Sequence, residues 1–193
     1  MVHFDPRRKF IFSLYGPTKS GKSSLIEAMI ARMPDTLRII RSVTTRGRRG
    51  PEDDANYSQF FSPDEFRERI AQGKMIQHIE YAGNMYGTDR EEVDAILSDR
   101  HGICAMVEDG MINMMDAGYQ LVPVRIIPLN TDVGPGVTRI DEDLRAADDM
   151  ARARSTIQPL LVIINDFKEG GRGNAIRQLH DEIERFLLNP NLR

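Results

Sequence analysis

The chemistry-bearing residues of this chain begin with Gly16-Pro17-Thr18-Lys19-Ser20-Gly21-Lys22-Ser23, followed by Ser24. The spacing is G-x-x-x-x-G-K-[ST]. Glycines at both ends let successive backbone N–H groups turn toward one anion without a Cβ in the way. A helix starting at the second glycine adds unsatisfied donors and a partial positive charge. In that pattern Lys22 reaches the β- and γ-phosphates of a nucleotide, and the Ser23 hydroxyl ligates Mg²⁺. A second constellation follows at Ser42-Val43-Thr44-Thr45-Arg46-Gly47-Arg48-Arg49, dense in hydroxyls and guanidinium groups. Arginine forks match phosphate oxygens two at a time. Carboxylates recur at Glu108-Asp109, directly after an apolar run, and Asn165-Asp166 closes another.

Those residues need elements to hold them. Ile11, Phe12 and Leu14 predict a strand running into the glycine loop, and Leu25, Ile26 and Met29 predict the helix that leaves it. Leu37–Val43 reads as a short strand, Tyr57–Phe61 as another, and Met75–Tyr81 as a third with alternating faces. Ser62-Pro63-Asp64-Glu65 carries a Ser N-cap, Pro at N1 and Glu at N3, a capping box. Residues 83–88 read as a turn-rich loop, followed by a helix from Asp89 to Leu97. Ile103–Val107, Leu121–Ile127 and Leu160–Ile164 are buried-strand runs. Helices are expected at 111–117, 140–154 and 175–188. Alternating strands and helices predict a parallel α/β sheet with ligands at the carboxyl ends of the strands. The stretch 37–88 breaks that alternation and reads as an inserted lobe.

Composition narrows the class. The chain has 193 residues, 40% hydrophobic and 28% charged, which suits one domain of ordinary core size. A net charge of −3 gives no basic field, so no nucleic-acid partner is expected. Arginine outnumbers lysine 21 to 5. The single cysteine, Cys104, excludes an intramolecular disulfide. No stretch approaches the roughly 20 apolar residues of a membrane span, and the first residues lack a signal core. A cytoplasmic setting, with no membrane partner, is the expectation.

The order of motifs resembles the guanylate kinase family. The shared elements are Gly16–Ser23, the S-x-T-T-R-x-x-R of Ser42–Arg49, Ser62-Pro63-Asp64-Glu65-Phe66, Gly83-Asn84-Met85-Tyr86-Gly87-Thr88, and Ile164-Asn165-Asp166. They cover about residues 10–188. The resemblance implies a P-loop three-layer α/β fold, with a parallel sheet flanked by helices. It implies a core of 10–36 and 89–188, a nucleoside-monophosphate lobe at about 37–88, and a short lid at about 130–143. It implies phosphoryl transfer from ATP, with Mg²⁺, to a nucleoside monophosphate, GMP or dGMP first, by a monomer or homodimer. ATP falls to Gly16, Pro17, Thr18, Lys19, Ser20, Gly21, Lys22, Ser23, Ser24 and Asn165, and the metal to Ser23. Ser42, Arg46, Arg49, Tyr57 and Tyr86 grip the acceptor phosphate, and Gln77, Thr88 and Glu108 lie on the base side. Lys22, Arg46 and Arg139 take the catalytic roles.

Three regions depart from the family pattern. Gln77 stands where a glutamate accepts from guanine. The D-x-D of the acidic strand end becomes Glu108 and Gly110. In the lid, Asp143 replaces an arginine and Arg139 is the one left nearby, with Arg145 beyond. An amide offers one acceptor and one donor where a carboxylate offers two acceptors. Gln77 therefore suits a base edge with one donor and one acceptor, or tolerates guanine through a weaker bond. Two other readings stay open: a kinase for a different small phosphate, and a catalytically weak binding module.

Overall fold

A computed structural model describes residues 3–17, 19–50, 53, 57–129, 157–168 and 170–191, with Tyr81 described by its backbone. Thr18, Arg139, Asp143, Arg145, the short lid and the helix expected at 140–154 lie outside the described residues. The organising strand is β1 (Phe10–Tyr15), whose six residues are all buried. It lies in the middle of a five-stranded parallel sheet with β2 (Leu37–Ile39), β7 (His101–Ala105), β8 (Gln120–Leu129) and β9 (Leu161–Asp166), in the order β2-β7-β1-β8-β9. Strands buried on both faces read as unbroken apolar runs, and FIFSLY is one.

Alternate residues of β1 feed two cores. Phe10, Phe12 and Leu14 pack with Leu25 and Met29 of α1 (Lys22–Arg32) and with Leu179 and Phe186 of the last helix, α5 (Gly171–Leu188). Ile11 and Tyr15 face the other way, toward Val93 of α3 (Arg90–Leu97) and Met111 and Met114 of α4 (Glu108–Asp116). Helices therefore cover both faces, and the molecule has three layers. This is the expected fold class.

A second sheet of four strands holds β3 (Ser42–Thr44), β4 (Tyr57–Phe60), β5 (Met75–Tyr81) and β6 (Asn84–Asp89), in the order β4-β3-β6-β5. Its helix is α2 (Pro63–Ala71), started by the expected capping box. The Ser62 N–H donates to Glu65 Oε2 at 2.8 Å, and the Glu65 N–H donates back to Ser62 Oγ at 3.3 Å. Phe66 of α2 packs with Val43 and Met75 into a small core of its own.

Several boundaries differ from the sequence expectation. Leu37–Val43 is not one strand: β2 pairs with β7 in the large sheet, whereas β3 pairs with β4 and β6 in the small one. Residues 37–39 thus belong with the core rather than with the lobe expected at 37–88, and the small sheet ends at Asp89. Residues 83–88 are not a loop. Ala82 and Gly83 adopt left-handed φ of 49° and 72°, the two-residue hairpin geometry, and the chain returns as β6. Gly87 is a strand residue chosen for space: a Cβ there would lie 2.8 Å from the Gln77 carbonyl oxygen. The helix expected from residue 111 starts at Glu108, so Glu108 and Asp109 sit in its first turn, where the helix dipole favours acids. β8 continues past the expected stop at Pro128 to Leu129. Among the described residues no helix is long and apolar enough to cross a membrane.

Candidate active site

The glycine loop leaves β1 at its carboxyl end and is shaped by close contacts that exclude side chains. A Cβ on Gly16 would lie 2.5 Å from the Ile126 carbonyl oxygen of β8. Gly21 has φ 88°, and a Cβ there would lie 2.3 Å from Asn165 Nδ2. Lys19 is also left-handed, at φ 62°. The Ser20 N–H closes a turn onto the Pro17 carbonyl at 3.1 Å, and Asn165 Nδ2 donates to the Ser20 carbonyl at 2.8 Å. Helix α1 begins with Gly21 as its N-cap and no side-chain cap. Its first turn therefore offers backbone donors to an anion. The Lys22 ammonium lies over the loop, donating to the Gly16 and Pro17 carbonyls at 2.9 and 2.7 Å and to Ser20 Oγ at 3.3 Å.

The arginine loop leaves β3 into the small sheet. Thr44 Oγ1 donates to the Met85 carbonyl at 2.9 Å and accepts the Arg46 N–H at 3.0 Å, so the backbone of Arg46 is tied to β6. The Arg46 guanidinium lies 5.1 Å from the centroid of the Tyr57 ring, a cation–π contact, and bonds Asp53. Tyr57 and Tyr86 stand with ring centroids 6.1 Å apart. Burial raises the Tyr57 pKa above its ordinary value. The side chain of Arg49 is exposed, while its backbone N–H donates to Asp53 Oδ2 at 2.7 Å.

The start of α1, the segment joining β2 to β3, and β4 line one cleft of about 500 Å³. Ser23, Ile26 and Ile30 of the glycine-loop helix form one wall, and Arg41, Ser42 and Tyr57 form the other. A smaller cleft of about 170 Å³ continues from Ser42 past Gln77, Tyr86, Thr88 and Val107. There Gln77 Nε2 donates to Thr88 Oγ1 at 3.1 Å. The Gln77 amide also lies against Gly110, where a Cβ would approach Oε1 and Nε2 to 2.8 and 2.9 Å.

The fold thus brings Ser23, Ser42 and Tyr57 to one cleft, and Gln77, Tyr86 and Thr88 to the next. Two expected site residues are placed differently. Glu108, at the start of α4, accepts the Ile157 N–H at 3.1 Å and so ties α4 to the segment before β9. Asn165 is buried behind the glycine loop and holds that loop's backbone. One residue was missed: Asp53, which binds both arginines. Its sequence signal was an acid a few positions after Arg49 in an otherwise polar loop.

The family described as guanylate kinase matches residues 7–167. A guanylate kinase of Idiomarina loihiensis is 29% identical over 150 residues, 75% of this chain and 71% of the relative. One from Clostridium perfringens is 28% identical over 128 residues, 66% of this chain and 58% of that protein. One from Synechococcus is 39% identical over 80 residues, 42% of this chain and 43% of that protein. Among solved structures, the guanylate kinase of Anaplasma phagocytophilum superposes with a TM-score of 0.58 at 20% identity, covering 96% of this chain and 87% of that one. The similarity to that structure is one of fold.

Proposed function

The chain belongs to the guanylate kinase family, and from that premise we propose that it transfers the γ-phosphoryl group of ATP to GMP or dGMP. The observation that carries the reading is the shared cleft, with Ser23 in the first turn of α1 on one wall and Ser42 of β3 and Tyr57 of β4, which flank the arginine loop, on the other. Phosphoryl transfer asks little covalent work of a protein; positioning and charge neutralisation dominate.

In this reading the backbone donors of Gly16–Ser24 hold the ATP phosphates, and Lys22 leaves the loop carbonyls for the β/γ-oxygens. Glycine at 16 and 21 keeps the loop in that shape, because a Cβ at either would strike Ile126 or Asn165. Mg²⁺ would be held by Ser23 and would supply positive charge across the β- and γ-phosphates. Ser42, Arg46, Arg49, Tyr57 and Tyr86 orient the acceptor phosphate, whose oxygen attacks the γ-phosphorus in line. Arg139 is the arginine assigned to the transferring group. Gln77 and Thr88 face the base. Asn165 acts on the donor side by holding the Ser20 carbonyl rather than by touching nucleotide.

The test is ADP release coupled to a reporter, with GMP, dGMP, IMP, AMP and TMP as acceptors. GMP-dependent turnover that disappears in Lys22→Ala supports the reading. ATP binding without turnover on any acceptor overturns it and favours a binding module.

A further inference from the structure

Asp53 is a charged residue with nearly all of its surface covered: it is 5% exposed. Its Oδ1 accepts from Arg46 Nη2, and its Oδ2 accepts the Arg49 N–H at 2.7 Å. Its own N–H donates to the Gly50 carbonyl at 3.1 Å, closing the turn. Both carboxylate oxygens and the backbone are thus committed inside one short loop. The partner, Arg46, is held on three sides. Its backbone N–H is tied to Thr44 Oγ1 at 3.0 Å, its guanidinium face lies 5.1 Å from the Tyr57 centroid, and its Nη2 is on Asp53. Its Nε is buried and has no hydrogen-bond partner among the described residues. A buried donor without a partner is costly, and a ligand that accepts from it recovers that cost.

We propose that Asp53 is a positioning residue for the acceptor phosphate: it holds the Arg46 guanidinium on the Tyr57 ring, in the orientation from which that guanidinium donates to the phosphate oxygens. The proposal rests on the acceptor role given to Arg46 above.

The opposite role for the same carboxylate is an internal anion that occupies Arg46 until the phosphate expels it. The loop's bonding decides between the two. Expulsion would break the Arg46 and Arg49 bonds together and open the Gly50 turn to carry the charge out. An uncompensated buried charge is among the most expensive defects a fold can hold. The phosphate needs none of this, because the exposed Arg49 guanidinium is there to meet it beside Arg46. The hydrogen bond from the Arg49 backbone, followed by the Arg46 contact, also holds the Asp53 carboxyl below the usual carboxylate range against the cost of burial. It stays charged at neutral pH and stays on Arg46.

The test is calorimetric binding of GMP, with turnover kinetics beside it, in wild type, Asp53→Asn and Asp53→Glu. The asparagine keeps the size and removes the charge. GMP binding is expected to weaken tenfold or more in Asp53→Asn, with the KM for ATP unchanged, and to recover in part in Asp53→Glu. In an Arg46→Lys background, Asp53→Asn should have little further effect, because the carboxylate acts through the guanidinium. Unchanged GMP binding in Asp53→Asn, or independent effects in the two backgrounds, overturns the proposal. Tighter GMP binding overturns it in favour of the internal anion. If Asp53→Asn does not fold, Asp53→Glu carries the test: weaker GMP binding at wild-type KM for ATP supports the proposal, and wild-type GMP binding overturns it. Wild-type protein that binds GMP but does not turn over removes the kinase reading and leaves this proposal standing. Wild-type protein that does not bind GMP removes both.

Discussion

The side-chain amide of Asn165 donates to the Ser20 carbonyl at 2.8 Å and so fastens the end of β9 to a loop 145 residues earlier. Gly21 makes the bond possible, since a Cβ there would lie 2.3 Å from the same nitrogen. Asn165→Asp replaces the donor with an acceptor facing a carbonyl. A buried polar group left unsatisfied costs about 1–3 kcal/mol. The KM for ATP should rise roughly 5- to 100-fold by that figure, with the KM for GMP unchanged. Steady-state kinetics with each substrate varied in turn checks this. Gly21→Ala should do the same through steric conflict.

Lys22 donates to groups of its own loop at 2.7 to 3.3 Å. Lys22→Ala removes that ammonium. Its loss should lower kcat by about 10²–10³, the scale of removing one donor aimed at developing charge. Rapid-quench measurement of γ-phosphoryl transfer, with calorimetric GMP binding as the control, separates chemistry from acceptor binding.

In the proposed reading the base side is set by Gln77, whose Nε2 is engaged by Thr88 Oγ1 at 3.1 Å. Its Oε1 is then the acceptor left for a base. Guanine presents two adjacent donors and hypoxanthine one, so a single amide oxygen separates the two bases poorly. Gln77→Glu keeps the size, supplies two acceptors, and retains Gly110 as its neighbour. The kcat/KM ratio of GMP over IMP should rise by about tenfold, within the range expected when a site pairs an added polar group. A competition assay with both nucleotides present measures the ratio directly.

Asp89 joins the small sheet to the core. It is 2% exposed, takes Arg69 Nε at 2.7 Å, and caps α3 through the N–H groups of Glu91 and Glu92 at 2.9 and 3.2 Å. Asp89→Ala removes a cap and the more buried of the two carboxylates on Arg69, which keeps Glu91 Oε2 at 2.9 Å. Losing a helix cap and a charge-assisted hydrogen bond costs about 2–4 kcal/mol. Urea unfolding should show a loss of that order, against less than about 1 kcal/mol for the exposed Arg67–Asp64 pair of α2.

His101 makes stability depend on pH. Its Nδ1 accepts the Phe10 N–H at 2.9 Å, and its ring stacks on Phe10 at 5.4 Å. Burial, helped by the nearby Lys9 charge, lowers its pKa from 6.5 to about 4. The folded state favours the neutral ring. Its contribution is complete above 6.5 and is lost as the pH falls through about 4. Urea midpoints measured from pH 7 downward should fall across that window, and less steeply in His101→Gln.

Local sequence determined the elements whose cause is local. The glycine loop, the alternation of strand and helix, and the Ser62–Glu65 capping box are written in spacing, residue size and side-chain capping chemistry. Their physical signals act over a few residues, so a linear reading finds them. Tertiary structure decided what depends on partners distant in sequence. It split Leu37–Val43 between two sheets, because which neighbour a strand pairs with is not encoded in its own pattern. It turned residues 84–89 into a strand, because the Gln77 backbone and Phe66 pack against a glycine that looks like a turn. It moved Glu108 onto the Ile157 backbone and Asn165 behind the glycine loop. It also buried Asp53, an acid in a polar loop, between the Arg46 guanidinium and the Arg49 backbone N–H, which make that burial tolerable.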